Sequence, residues 1–150
     1  MKTLLVPGDR QEIEERLSEL RESTPRAWGK MTAHQMVCHL SDSFLIALGE
    51  KQASMASGWF QRSVMKWGAL YFPAPWPKGV PTRPEIDQAA GFGTAPGEFS
   101  RDLAALRKVT DRFVQAREWK DHPIFGKMNA GEWMRWGYLH MDHHLRQFGL

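Results

Sequence analysis

Four stretches of this chain repeat apolar residues at helical spacing, and no stretch alternates apolar and polar residues as a half-buried strand must. The first runs from about Asp9 to Arg21, with Ile13, Leu17 and Leu20 on one side, Asp9 as the expected N-cap and Pro25 as the break. The second runs from Thr32 to Gly49. Thr32-Ala33-His34-Gln35 reads as a capping box, Gly49 as the residue that ends the helix, and Met36, Val37, Leu40, Phe44 and Ala47 as its apolar stripe. The third spans about Glu98 to Trp119 through Phe99, Leu103, Leu106 and Phe113. The fourth spans Asn129 to Phe148, opened by a second capping box, Asn129 with Glu132.

The stretch from Lys51 to Gly97 lacks such order. Trp59 to Phe72 is expected to form a further short helix, and Pro73 to Gly97 holds most of the prolines. A connection this long inside a compact domain is usually functional. The expected architecture is all-α: one domain over 1–150, a four-helix bundle with a long elaborated crossover between the second and third main helices. A chain of 150 residues buries about two-thirds of its unfolded surface, so it needs no covalent staple to fold. Its single cysteine, Cys38, excludes an internal disulfide and any CxxC motif.

Several classes of partner drop out. No apolar run approaches the ~18 residues of a membrane span, and Met1 to Gly8 lacks the apolar core of a signal peptide. A cytoplasmic protein with no membrane partner is expected. The net charge of +3 is spread among acidic residues, without the clustered basic stripe of a nucleic-acid binder.

The last helix carries the chemistry. In Tyr138-Leu139-His140-Met141-Asp142-His143-His144-Leu145-Arg146-Gln147, His140 and His144 stand four apart. Each helical residue turns ~100°, so the two rings share a face and can converge on one point. Trp133, Trp136, Gly137, Gln147 and Phe148 lie on that side, which points it into the fold. Asp142 lies on the other. His143 sits at the flank, ~100° from His144. Two neighbouring buried imidazoles need partners, and a divalent cation serves both. A third ligand should come from another helix. His39, mid-helix beside Gln35, Asp42, Ser43 and Ile46, is the best placed. His34 falls among more exposed positions, and His122, before Pro123, has no readable direction. Histidines hydrogen-bonded in the core, with no metal, are the competing reading. Cys38 reads as a buried structural thiol.

Met36-Val37-Cys38-His39-Leu40-Ser41-Asp42-Ser43, followed at the C-terminus by His140 to Gln147, resembles the DinB-like superfamily, also called the YfiT-like metal-dependent hydrolases. Trp28-Gly29-Lys30-Met31-Thr32 and His122-Pro123-Ile124-Phe125-Gly126 resemble an uncharacterised branch of it. The resemblance spans nearly the whole chain. It implies a bundle holding one divalent metal per chain, zinc or nickel, on His39, His140 and His144. It also implies homodimers and, in some members, transfer of a low-molecular-weight thiol. The long Trp- and Pro-rich crossover departs from the simpler members.

Three protein ligands leave a metal with an open position, the catalytic arrangement. The expected function is a metal-dependent enzyme acting on a small-molecule substrate. It would be either a hydrolase using metal-bound hydroxide or a thiol S-transferase using metal-bound thiolate. No HExxH glutamate is present, and Asp42, near His39, is the candidate catalytic carboxylate. Gln35, Ser43 and Gln147 are candidates to orient a ligand or substrate, and Trp133, Trp136 and His143 to border the pocket. Trp59, Trp67 or Trp76 would cover it. The alternative is a non-catalytic metal- or small-ligand-binding bundle, such as a sensor or stress protein.

Overall fold

The computed structural model describes residues 1–56, 58–80 and 82–150. Among these the chain is all-helical. Helix α1 spans Pro7–Glu19, α2 Ala33–Leu48, α3 Lys66–Tyr71, α4 Phe99–Gln115 and α5 Ala130–Arg146. A π-helical turn, Gln61–Met65, leads into α3, and two 3-10 turns, Pro84–Ile86 and Gln88–Ala90, precede α4. No strand forms among the described residues. An isolated bridge joins His122 to Gly126, and no helix among the described residues is long and apolar enough to cross a membrane.

The two capping boxes form as read. Thr32 Oγ1 accepts from the Gln35 amide while the Gln35 side chain accepts from the Thr32 amide, and Asn129 and Glu132 repeat the exchange. Gly49 ends α2 at φ 79°, a left-handed conformation that glycine adopts without steric cost. The N-terminus of α1 differs from expectation. Pro7, whose fixed φ suits a first helical turn, starts the helix after Val6. Asp9 instead sits within the first turn and accepts from the Thr3 amide at 2.8 Å. Helix α4 stops four residues before Trp119. The Trp119 indole folds back and donates to the Phe113 carbonyl at 3.2 Å, taking an acceptor that the helix end leaves open.

Helix α2 packs along α4, α1 packs along α5, and α2 and α5 touch each other. At their meeting point Phe44, Phe113 and Trp136 pack together, Trp136 edge-on to both phenyl rings and the Phe44 and Phe113 centroids 4.7 Å apart. Gly137 allows this closeness. A Cβ there would stand 2.8 Å from Leu4 Cδ1 and 3.0 Å from Phe113 Cε1. The crossover is pinned at several points. Lys66 pairs with Glu132 at 2.9 Å, Arg135 donates to the Leu70 carbonyl, and the Trp76 indole donates to Ala69. Asp42, wholly buried, accepts from the Thr94 amide at 2.8 Å and from its hydroxyl at 2.6 Å, and pairs with Lys51 at 2.7 Å.

Candidate metal centre

His39 from α2 and His140 and His144 from α5 meet at one point. His39 Nε2 lies 3.4 Å from His140 Nε2, and His144 Nε2 lies 3.1 Å from the same atom. One ligand atom from each ring can be chosen so that all three lie within 4.8 Å of one another. The outer nitrogens of two rings are fixed. His39 Nδ1 faces the Ile86 carbonyl at 3.0 Å, and His144 Nδ1 faces Gln147 Oε1 at 3.0 Å. Both oxygens only accept, so both Nδ1 atoms carry the proton, and both Nε2 atoms present lone pairs to the centre. Burial pushes the pKa of all three rings down, and for His140 the neighbouring histidines add to the effect, so the rings are neutral at pH 7.

Converging lone pairs need a positive partner. One proton on His140 Nε2 could bridge two of them; a divalent cation satisfies all three. Tetrahedral zinc with nitrogen at ~2.0–2.1 Å separates its ligand atoms by ~3.3 Å. The two separations of 3.4 and 3.1 Å match that edge. The donor set of neutral imidazoles, two with a fixed tautomer, therefore fits a divalent metal. His140 differs from its neighbours. Its Nδ1 is buried with no hydrogen-bond partner among the described residues, and the ring lies 4.8 Å from Trp136.

The three rings open onto a cavity of about 800 Å³ between the helices and the crossover. Ser43, Trp133, Trp136, His143 and Gln147 line it. Ser43 Oγ donates to the His39 carbonyl one turn back. Trp76 covers the cavity, 6.1 Å from His140 and 5.8 Å from His143. Trp59 and Trp67 do not. They stand 79% and 62% exposed on the outer side of the crossover. The Gln147 carbonyl accepts from the Ala27 and Trp28 amides, which ties Trp28, a residue of the cavity wall, to the end of α5. Gly29, at φ 88°, makes the turn that follows.

Two candidates stand elsewhere. Gln35 is held by the Thr32 amide and the Gln88 carbonyl and does not line the cavity. Asp42 is also absent from the cavity wall, and both its oxygens are held by Thr94 and Lys51. The carboxylate that does line the cavity is Asp87, in the Pro-rich segment. It follows Ile86, whose carbonyl orients His39, and its Oδ1 accepts from the Ala90 amide. No motif marks it. Asp142 points away and pairs with Arg16 at 2.8 Å.

His34 is buried rather than exposed, because α4 covers that side of α2. Its Nε2 lies 2.7 Å from Asp102, and Phe99 packs edge-on against the ring. Cys38 lies 3.8 Å from the same Asp102 oxygen. Burial and the nearby carboxylates push this thiol up to about 12. A thiol so far from ionising is a poor ligand or nucleophile without a metal. Asp102 also accepts from the Gly97 amide, so this second cluster is internally satisfied. His122 is buried on the cavity wall, and its Nδ1 accepts from the Ile124 and Phe125 amides.

The helical fold and the histidine cluster define the class: an all-helical protein with a three-histidine site able to hold a metal ion. Residues 5–149 match the family described as "Protein of unknown function (DUF1569)", and the chain belongs to that family. No curated protein and no solved structure gives a match.

Proposed function

We propose that this protein is a metal-dependent enzyme of DinB-like type. Its four long helices would form the bundle, and His39, His140 and His144 would hold one divalent ion, zinc or nickel. The observation that carries this reading is the arrangement of the nitrogens. Two Nδ1 protons are fixed by Ile86 and Gln147, and the Nε2 atoms face one another at 3.1 and 3.4 Å. Three protein ligands leave a position open toward the cavity, and structural zinc sites usually close with a fourth. A bound cation there would lower the pKa of a water or thiol at that position, the chemistry needed for hydrolysis or for thiol S-transfer.

The chain's own groups divide the remaining work. Ile86 and Gln147 hold the tautomers of His39 and His144. Trp28, Trp76 and Trp136 keep the centre away from bulk water. Asp87 takes the acid–base role first given to Asp42, since it is the carboxylate on the cavity wall among the described residues. The exposed row Trp59, Phe60, Trp67 and Phe72 supports the homodimer that the resemblance implies.

The test compares metal-loaded and chelator-treated protein on an aryl ester and on a small thiol paired with an electrophile. Saturable turnover of one pair, lost on chelation and restored by the ion, is the expected result. Tight metal binding with no turnover of either pair would replace the enzyme with a non-catalytic binding protein.

A further inference from the structure

The cavity wall has an order that the histidine triad does not explain. From His140 the next rings are Trp76, at 6.1 Å, and then His143, 5.8 Å from Trp76. Trp28 follows at 5.0 Å from His143, and the Lys78 ammonium lies 5.4 Å from the Trp28 centroid. A row of aromatic faces thus leads from the triad to a cation. Lys30 and Arg83 also line the cavity, against one carboxylate, Asp87. Lys30 and Lys78 form no ion pair and no hydrogen bond among the described residues. Arg83 donates through Nη2 to Ser54 and is close enough to help hold Glu85 ionised, yet its buried Nε has no acceptor among the described residues. The surrounding segment, residues 51–84, contains Lys51, Arg62, Lys66, Lys78 and Arg83 and no Asp or Glu.

We infer that the cavity binds a small organic anion with a flat apolar body. The body lies against Trp28, Trp76 and Trp136, and the anionic group lies at the end marked by Lys30 and Lys78. A cavity of about 800 Å³ suits a molecule of that kind, since such sites are mostly apolar with a few placed polar groups. Unpaired cations at the far end select its charge. This names the substrate class for the site proposed above and rests on that cavity being the working site. The reacting part of the molecule would then lie toward His140 and His144, and the anion away from them.

The test uses chelator-treated protein, so that a carboxylate cannot gain affinity by ligating metal and the outcome stays separate from whether the triad holds an ion. Isothermal titration with 2-naphthoate, 2-naphthamide and 2-naphthylmethylammonium compares one body with three charges. The expected result is that naphthoate binds at least tenfold more tightly than the amide, and the ammonium compound more weakly still. The preference should shrink steeply at high salt and vanish in the Lys30→Glu/Lys78→Glu variant. Equal binding of the three probes, binding of none, or a preference unchanged by salt in the wild-type protein would overturn the inference, whether or not the variant folds.

Discussion

Replacing Gln147 by Met isolates the contribution of the fixed tautomer. Gln147 Oε1 is the acceptor for His144 Nδ1 at 3.0 Å, and both residues are buried. In the metal-free protein the loss is cheap. The His144 proton moves to Nε2, which opens onto the cavity, where solvent accepts it without forcing the His140 proton onto its unpartnered Nδ1. With metal bound that escape closes, because Nε2 must offer its lone pair and Nδ1 keeps a proton with no acceptor. A buried unsatisfied donor costs about 1–3 kcal/mol, and removing such an outer partner typically weakens metal binding by about 10–100-fold. The two ranges agree, since about 1.4 kcal/mol is tenfold. Competition against a chromophoric chelator should show that drop in Gln147→Met, with the urea midpoint of the metal-free protein nearly unchanged. Gln147→Glu, which keeps an acceptor, should retain the affinity. Wild-type affinity in the Met variant, or an equal loss in both variants, would refute the tautomer argument.

Asp42→Ala removes the buried acceptor for three contacts from the exposed Thr94 and the partly exposed Lys51. It should cost about 1–2 kcal/mol in urea unfolding, because the freed donors can turn to water, and leave metal stoichiometry unchanged. Burial pushes the His122 pKa from 6.5 down to about 3. The folded state therefore keeps a neutral ring where the unfolded state takes up a proton. The stability this gives is present above pH ~6.5 and is lost progressively as the pH falls toward 3. Between pH 7 and pH 5 the loss is about 2 kcal/mol, and chelator-treated His122→Asn should show a pH dependence smaller by that amount. Metal removal should leave the circular dichroism spectrum helical, because Phe44, Phe113 and Trp133 are buried against one another without the ion; complete unfolding would make the site structural.

Local chemistry was readable in the sequence, and long-range chemistry was not. The capping boxes at Thr32 and Asn129 are exchanges within four residues, so their motifs located the starts of α2 and α5. The His140–His144 pair is likewise one helical turn, and the stripe of α2 was enough to select His39. The end of α4 was misplaced because Trp119 folds back onto Phe113, a choice made by tertiary packing. His34 was misplaced because the covering residues Asp102 and Phe99 come from another helix. Asp42 looked available for chemistry because its partner Thr94 lies 52 positions away. The Ile86 carbonyl and Asp87 lie in an irregular, proline-bordered segment, where no periodicity tells which group faces inward.

The central claim is that His39, His140 and His144 hold one divalent ion. Elemental analysis of protein never exposed to chelator should find close to one such ion per chain. The ion should be absent from His39→Ala, His140→Ala and His144→Ala and retained in His34→Ala, which disrupts only the cluster with Cys38 and Asp102. A wild-type protein without metal, or metal that leaves with His34 and stays without His140, would contradict the account.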